Sequence, residues 1–269
     1  MISLIISTYN EKYFNQFLKN VKDTIGNNVE YEIIQIWNPG LMSICEAYNK
    51  GAVQAKYDNL LFVHEDVQFY STNWYTILEK YFQLPNLGVF GLAGNKRKFD
   101  LPYGFHSGLQ NEGFMFVNHR GHPKISFKQQ KFPFEVKVID GVFIGMKKNV
   151  WKEIPFSKSL KGFHFYDLDI SLRTSVKHQN YLVTDLDIEH FSIGNFGDQW
   201  IEACIEFHRD KSYNYDMILP KEKRDVRNFW YKRLLEEKIS FRNRLRYSLN
   251  IGCNKDTLRS CIKFLLNGK

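Results

Sequence analysis

Three ionisable residues, His64-Glu65-Asp66, follow directly on the apolar run Leu60-Leu61-Phe62-Val63. Carboxylates set beside a buried strand repel one another unless a cation or solvent compensates them. The cluster therefore points to a divalent metal with Asp66 as a ligand. Mg²⁺ is normally held by few carboxylates, with phosphate oxygens and water filling the other positions, and Mn²⁺ accepts an imidazole more readily. His190, just after the short apolar segment at Ile188, is the candidate imidazole ligand. A solvated strand end is the plainer reading of the same three residues.

These residues need elements that bring them together. The apolar runs Ile2 to Ser7 and Tyr31 to Ile36 flank a stretch in which Phe14, Phe17, Leu18 and Val21 fall at helical spacing, which makes a β-α-β unit. After the turn signal Asn38-Pro39-Gly40, Ser43 and Glu46 form a capping box, and Ile44, Tyr48, Ala52 and Ala55 continue one helical stripe. The strand Leu60 to Val63 is followed by a helix over 73–82, with Trp74, Leu78, Tyr81 and Phe82 inward, and by a strand over 88–92. This alternation predicts the α/β class: a mostly parallel sheet with helices on both faces. Ligands in such sheets bind beyond the carboxyl ends of the strands. Thr8-Tyr9-Asn10, Trp37-Asn38 and His64-Glu65-Asp66 all follow strand ends, so one crevice collects them. Residues 96–134, rich in Gly, aromatic and basic residues and with weak periodicity apart from the short apolar run Phe114 to Val117, read as long active-site loops with a hairpin. Order returns over 136–146, then a helix over 167–176, a strand over 181–184 and a helix over 198–208.

Composition excludes several classes. With 43% hydrophobic and 16% aromatic residues among 269, the chain can bury a core and is not disordered. No apolar stretch approaches the ~20 residues of a membrane helix. The first residues enter directly on Ile2-Ser3-Leu4 with no leader, so a cytoplasmic protein is expected. Cys45, Cys204, Cys253 and Cys261 have no metal or redox spacing and read as core thiols.

Net charge is +8, yet Leu219 to Lys269 holds fourteen Lys/Arg against five Asp/Glu. The expected organisation is a catalytic domain over 1–218 and a basic helical extension over 219–269. Pro220 can start a helix with Val226, Phe229, Trp230, Leu234 and Leu235 near one docked side, while the region from Phe241 to Leu249 faces an anionic membrane. No nucleic-acid partner is expected. A non-catalytic nucleic-acid or membrane-binding protein built around the tail is one competing reading.

The order of Ser7-Thr8-Tyr9-Asn10-Glu11, Asn49-Lys50-Gly51, Leu61-Phe62-Val63-His64-Glu65-Asp66, Asp140-Gly141-Val142 and Tyr166-Asp167-Leu168-Asp169-Ile170-Ser171-Leu172-Arg173 resembles family-2 glycosyltransferases of the GT-A fold, over roughly residues 1–210. The bacterial branch linked to capsule and surface polysaccharide synthesis is most similar. The resemblance implies a metal-dependent, inverting transfer of a hexosyl or N-acetylhexosaminyl group from a nucleotide-sugar, a UDP-sugar by preference, to a glycan or lipid-linked acceptor. Thr8, Tyr9 and Glu11 would line the nucleotide pocket, Asn38 would stand where the family often has an acid, and Asn49 would help close the donor site. His64-Glu65-Asp66 would replace the Asp-x-Asp motif, with Asp66 and His190 on Mn²⁺ or Mg²⁺ and His64 and Glu65 on the nucleotide-sugar. His64 departs from the pattern, since an imidazole can bond a ribose hydroxyl but brings no negative charge. Asp140 and Gly141 would meet sugar hydroxyls, with a β-bulge as the plain alternative. Asp167 would be the catalytic base, with Asp169 as the helix cap and Arg173 paired to a carboxylate or to pyrophosphate.

A nucleotidyltransferase shares the fold class, but Ser7 to Glu11 lacks that class's Gly-rich, basic triphosphate loop. His106, His119 and His122 read as loop histidines, Lys96-Arg97-Lys98 as a solvated charge run, and Trp74, Trp151 and Trp200 as core.

Overall fold

The computed structural model describes residues 1–119, 131–192 and 194–266, which leaves His122 outside. The chain divides into two compact units, one of Met1–Gly94 with Met115–Ile193, the other of Asn95–Phe114 with Gly194–Lys269.

The first unit opens with strand β1 (Ile2–Thr8), helix α1 (Glu11–Thr24), β2 (Tyr31–Trp37), α2 (Ile44–Gln54) and β3 (Asn59–Val63). Ile2, Leu4, Ile5 and Ile6 of β1 are all buried, as expected of a β-branched run covered on both faces. Asn10 caps α1 by accepting from the Lys12 and Tyr13 amides at 3.1 and 3.3 Å, and Phe14, Phe17 and Val21 form its inner stripe. The Ser43–Glu46 capping box starts α2. After β4 (Val67–Phe69) come α3 (Trp74–Phe82), β5 (Leu87–Gly91) and the short strands β6 (Ala93–Asn95), β7 (Gly113–Met115) and β8 (Asn118–His119). The unit continues through β9 (Phe134–Val136), β10 (Val138–Ile139), β11 (Phe143–Lys147), α4 (Lys148–Glu153), α5 (Tyr166–Thr174), β12 (Gln179–Leu182) and β13 (Ile188–His190).

Seven strands form the main sheet in the order β2-β1-β3-β11-β5-β12-β9. It is mixed rather than mostly parallel. β1 runs parallel to β2 and β3, and β12 parallel to β5, but β11 is antiparallel to both β3 and β5, and β9 to β12. A continuous apolar run such as Phe143-Ile144-Gly145-Met146 shows burial on both faces but carries no mark of direction. A second sheet has the order β4-β13-β8, with β13 antiparallel to β4 and parallel to β8. β8 therefore pairs with β13, while β7 joins β6 and β10 in a third sheet. The His190↔His119 register sets the two histidines side by side.

The second unit contains α6 (Asp198–Phe207), α7 (Pro220–Arg233), α8 (Phe241–Ile251) and α9 (Leu258–Leu266). Trp200 and Trp230 stack at 5.3 Å with planes 9° apart, and the Tyr247 hydroxyl donates to the Pro102 carbonyl at 2.8 Å. These contacts tie Asn95–Phe114 and α6 to the C-terminal helices. Lys96-Arg97-Lys98 is not a solvated run. Arg97 binds Glu112 and Glu222 at 2.8 and 2.7 Å, and Lys98 is fully buried, donating to the Phe99 and Leu101 carbonyls and to His208 Nε2. Cys45, Cys204 and Cys261 are buried, but Cys253 is exposed. Among the described residues no helix is long and apolar enough to cross a membrane.

Candidate active site

β3 ends at Val63, and the next three residues turn across the end of the sheet. His64, Asp66 and His190 each offer a ligand atom, and these atoms lie within 4.8 Å of one another. Asp66 Oδ1 is 3.2 Å from His190 Nε2 and 4.0 Å from His64 Nδ1. Burial alone would raise the Asp66 pKa. The hydrogen bond and charge of His190, with His64 and the Ser192 amide, outweigh burial and hold the carboxylate well below its ordinary range. Asp66 is thus an anion aimed at two imidazoles. His190 is buried, and among the described residues its Nδ1 has no hydrogen-bond partner. Two imidazoles and one carboxylate fit a divalent transition ion such as Mn²⁺ better than Mg²⁺, which prefers oxygen.

The His64 tautomer follows from proton counting. Tyr166 has one hydroxyl proton, and it donates this to the Gly141 carbonyl at 2.9 Å. Towards His64 Nε2, at 3.0 Å, the same oxygen must accept. Nε2 therefore carries the ring proton, and the Nδ1 lone pair is left facing Asp66. Burial, then the neighbouring His190, pushes the His64 pKa down, so the ring is neutral at pH 7 although part of it reaches solvent. Gly141 is required for this arrangement because a Cβ there would lie 2.3 Å from the Tyr166 hydroxyl. Replacing Tyr166 by Phe should keep the ring but free His64 to rotate and change tautomer, lowering divalent-metal affinity by roughly 10–100-fold. Calorimetric titration of Mn²⁺ in the presence of UDP measures this, and an unchanged affinity would remove Tyr166 from the ligand-orienting role.

Asp167 follows Tyr166 in the first turn of α5. Burial first, then the charge of Asp140, raises its pKa to about 7, against the opposing pull of amide hydrogen bonds from Leu168, Asp167 and Gly141. A carboxylate with this value is half ionised at neutral pH, which suits a group that takes a proton during reaction. Asp140 lies in the turn between β10 and β11, and its Oδ1 accepts from the Val142 amide at 3.0 Å, so a tight turn stands where a bulge was the alternative. His64, Gly141, Tyr166 and Asp167 are therefore bonded into one continuous network.

The other sequence-derived positions divide into two groups. Tyr9 is 67% exposed and Glu11 is exposed at the start of α1, so both can meet a ligand. Thr8 is buried and accepts from Gln35 Nε2 at 3.0 Å. Glu65 is engaged within the chain. Its carboxylate accepts from the Tyr9 and Asn10 amides at 3.1–3.3 Å and so braces the β1–α1 turn. Asn38 is spent on both backbone groups of Met42 and on Ser7 Oγ. Asn49 ties α2 to Phe156 and to Trp151 Nε1. All three groups are already engaged by neighbouring backbone and side-chain atoms of the chain.

Asp169 is likewise not the helix cap. The N-cap of α5 is Phe165, and the Asp169 carboxylate, buried at 2% exposure, pairs with Arg173 Nε at 3.0 Å. Arg173 also donates to the Pro155 carbonyl at 2.8 Å, which leaves it a structural partner. His119 departs from its loop reading. Its ring lies 5.5 Å from that of His190, and its Nδ1 meets the Ser192 carbonyl at 3.2 Å. The one signal in the sequence was its position two residues after the apolar run Phe114 to Val117. His106 is structural: its Nδ1 accepts from the Gly108 amide and its carbonyl accepts from Trp230 Nε1.

Comparison with known proteins follows the same frame. GalNAc-T7, solved with UDP, GalNAc and Mn²⁺, superposes with a TM-score of 0.52 at 10% identity over 71% of this chain. This chain spans 44% of the length of that protein. S. aureus TarS 1-349 gives 0.50 at 12% identity, covering 99% of this chain and 80% of that one. The same protein in complex with UDP gives 0.50 at 12% identity, covering 99% and 79%. Identities this low speak for the fold alone. Curated protein sequences give no significant match. The model of the glycosyltransferase-like family, in contrast, matches residues 3–222, a span that includes every residue of the site described above. The chain has the GT-A fold and belongs to the glycosyltransferase-like family.

Proposed function

We propose that this protein is a metal-dependent, inverting glycosyltransferase that moves a sugar from a UDP-sugar to a hydroxyl of a glycan or lipid-linked acceptor. The observation that carries the reading is the network joining a His64–Asp66–His190 cation site, through Tyr166 and Gly141, to an Asp167 carboxylate tuned to about 7. Family membership supports sugar transfer. The UDP and Mn²⁺ held by structural neighbours support the choice of donor and ion.

In this reading Tyr9 and Glu11 hold the nucleoside, and Asp140 accepts hydrogen bonds from sugar hydroxyls. Asp167 takes the proton from the acceptor hydroxyl. The acceptor oxygen forms its bond to the anomeric carbon as the bond from that carbon to the diphosphate oxygen breaks, and the electron pair leaves with UDP. One displacement inverts the anomeric centre. His64, Asp66 and His190 would hold a divalent ion, which would supply charge compensation for the departing diphosphate. The expected setting is bacterial capsule or surface polysaccharide synthesis, with a hexosyl or N-acetylhexosaminyl donor. Residues 1–218 carry the transfer, and 219–269 are an appended basic helical extension.

The test is thermal stabilisation by a panel of nucleotides and nucleotide-sugars, with and without Mn²⁺. A ligand at ~100 times its Kd stabilises by ~2.7 kcal/mol. UDP-sugars with Mn²⁺ are expected to stand out. Stabilisation by nucleoside triphosphates alone would turn the reading to nucleotidyl transfer, and no response to any nucleotide would reject both.

A further inference from the structure

The two last helices repeat one surface pattern. In α8 the apolar residues Phe241, Leu245 and Leu249 stand at steps of four, and in α9 so do Leu258, Ile262 and Leu266. All six are between 41% and 77% exposed, which is unusual for large apolar side chains repeated along one stripe. Both helices are already anchored by their opposite faces. Arg244 of α8 is buried and donates to the Ile239, Phe264 and Glu237 carbonyls, and Tyr247 packs on Phe264 of α9 at 5.9 Å. The exposed stripes are therefore not needed to hold the helices in place.

A basic residue directly follows four of the six apolar ones: Arg242, Arg246, Arg259 and Lys263. At 100° per residue this lays a cationic strip along one edge of each apolar stripe. Neither helix contains an Asp or Glu.

We propose that the exposed faces of α8 and α9 rest on an anionic lipid bilayer, with the six apolar side chains entering the headgroup–acyl boundary and Arg242, Arg259 and Lys263 reaching lipid phosphates, while Arg246 also meets Glu202 at 3.8 Å. Side chains of this type bury their apolar stems while their charged heads stay at the polar level. Charge selects the occupant. A second copy applied face to face would set Arg242, Arg246, Arg259 and Lys263 against their like, with no acid on either helix to compensate. A bilayer of anionic phospholipid offers the opposite charge across its whole surface. The inference is independent of the catalytic reading, since it uses no residue of the cation site or of Asp167.

Co-sedimentation of the full chain with vesicles tests it. One set is phosphatidylcholine, the other equimolar phosphatidylcholine and phosphatidylglycerol. The wild type is expected to partition to the anionic set roughly tenfold or more above the neutral one. The double variant Arg242→Glu with Lys263→Glu, and separately Phe241→Ser with Ile262→Ser, should each lose at least about tenfold of that binding with melting temperature unchanged, because all four side chains project outward. Equal recovery on both vesicle types, no recovery on either, or binding unaffected by both double variants would overturn the proposal. A wild-type dimer that dissociates on Phe241→Ser with Ile262→Ser would overturn it too, by giving the face to a second copy.

Discussion

Asp167→Asn is expected to lower kcat by roughly 10²–10⁴ while leaving UDP and Mn²⁺ affinity near normal, the usual size of a general-base contribution. Asn has the same shape and accepts the amide hydrogen bonds from Leu168 and Gly141 through its carbonyl oxygen, but it takes no proton. The wild-type rate should rise with pH through an apparent pKa near 7, because only the ionised carboxylate is active. Removing the like charge by Asp140→Asn should move the acid limb to lower pH. Stability runs the other way. Folded Asp167 binds its proton more tightly than the unfolded group, whose ordinary value is 3.8, so its contribution is present below that value and lost as pH rises towards about 7. The Asn variant should therefore gain stability over wild type above neutrality. Initial rates across pH and denaturant melts at two pH values check both limbs. Near-normal turnover in Asp167→Asn would move the base to another group.

Asp66→Ala should remove the dependence of UDP binding on divalent cation, with an affinity loss of at least roughly 10–100-fold, since losing even an outer-shell partner of a metal costs that much. The variant also leaves His190, buried with its Nδ1 unpartnered among the described residues, without its bond to Asp66. Folded-state stability should drop as well. Sign again identifies the cause: the Asp66 pKa is depressed by folding, so its contribution is complete above the ordinary carboxylate range and fades as pH falls. Calorimetry of UDP with Mn²⁺ and with chelator is the check, with circular dichroism to show that the variant is folded. Binding of UDP unchanged by chelator and by the substitution would reject the cation site.

Strand ends, caps and inner stripes could be read before the structure, because periodicity reports burial and Asn10 and Ser43 mark helix starts by their chemistry. The direction in which a polar side chain points could not. Glu65, Asn38 and Asn49 all lie near the predicted crevice, yet each bonds a nearby backbone amide or carbonyl, and the sequence records residue type without orientation. Strand direction was hidden for a related reason, since β11 is apolar on both faces. His119 escaped notice because its significance depends on β13, some seventy residues further along the chain. Lys98 looked solvated beside two other cations, and only its contacts with the Phe99 and Leu101 carbonyls and His208 reveal it as buried.

The reversed course of β11 has a consequence for how the protein comes to be active. Because β11 runs against β3, its start meets the end of β3, and the His64 amide bonds the Val142 carbonyl at 3.1 Å. The segment that brings Asp140 and Gly141 thus closes a loop of more than seventy residues from His64. Closing so long a loop is entropically slow, and non-local strand pairings form late. The early β1-α1-β2-α2-β3 portion can pair locally and place Asp66, but it cannot fix the His64 tautomer until β11 has inserted. Without β11 in place the Tyr166–Gly141 bond that fixes His64 cannot form, so the order of the cation site depends on a complete central sheet.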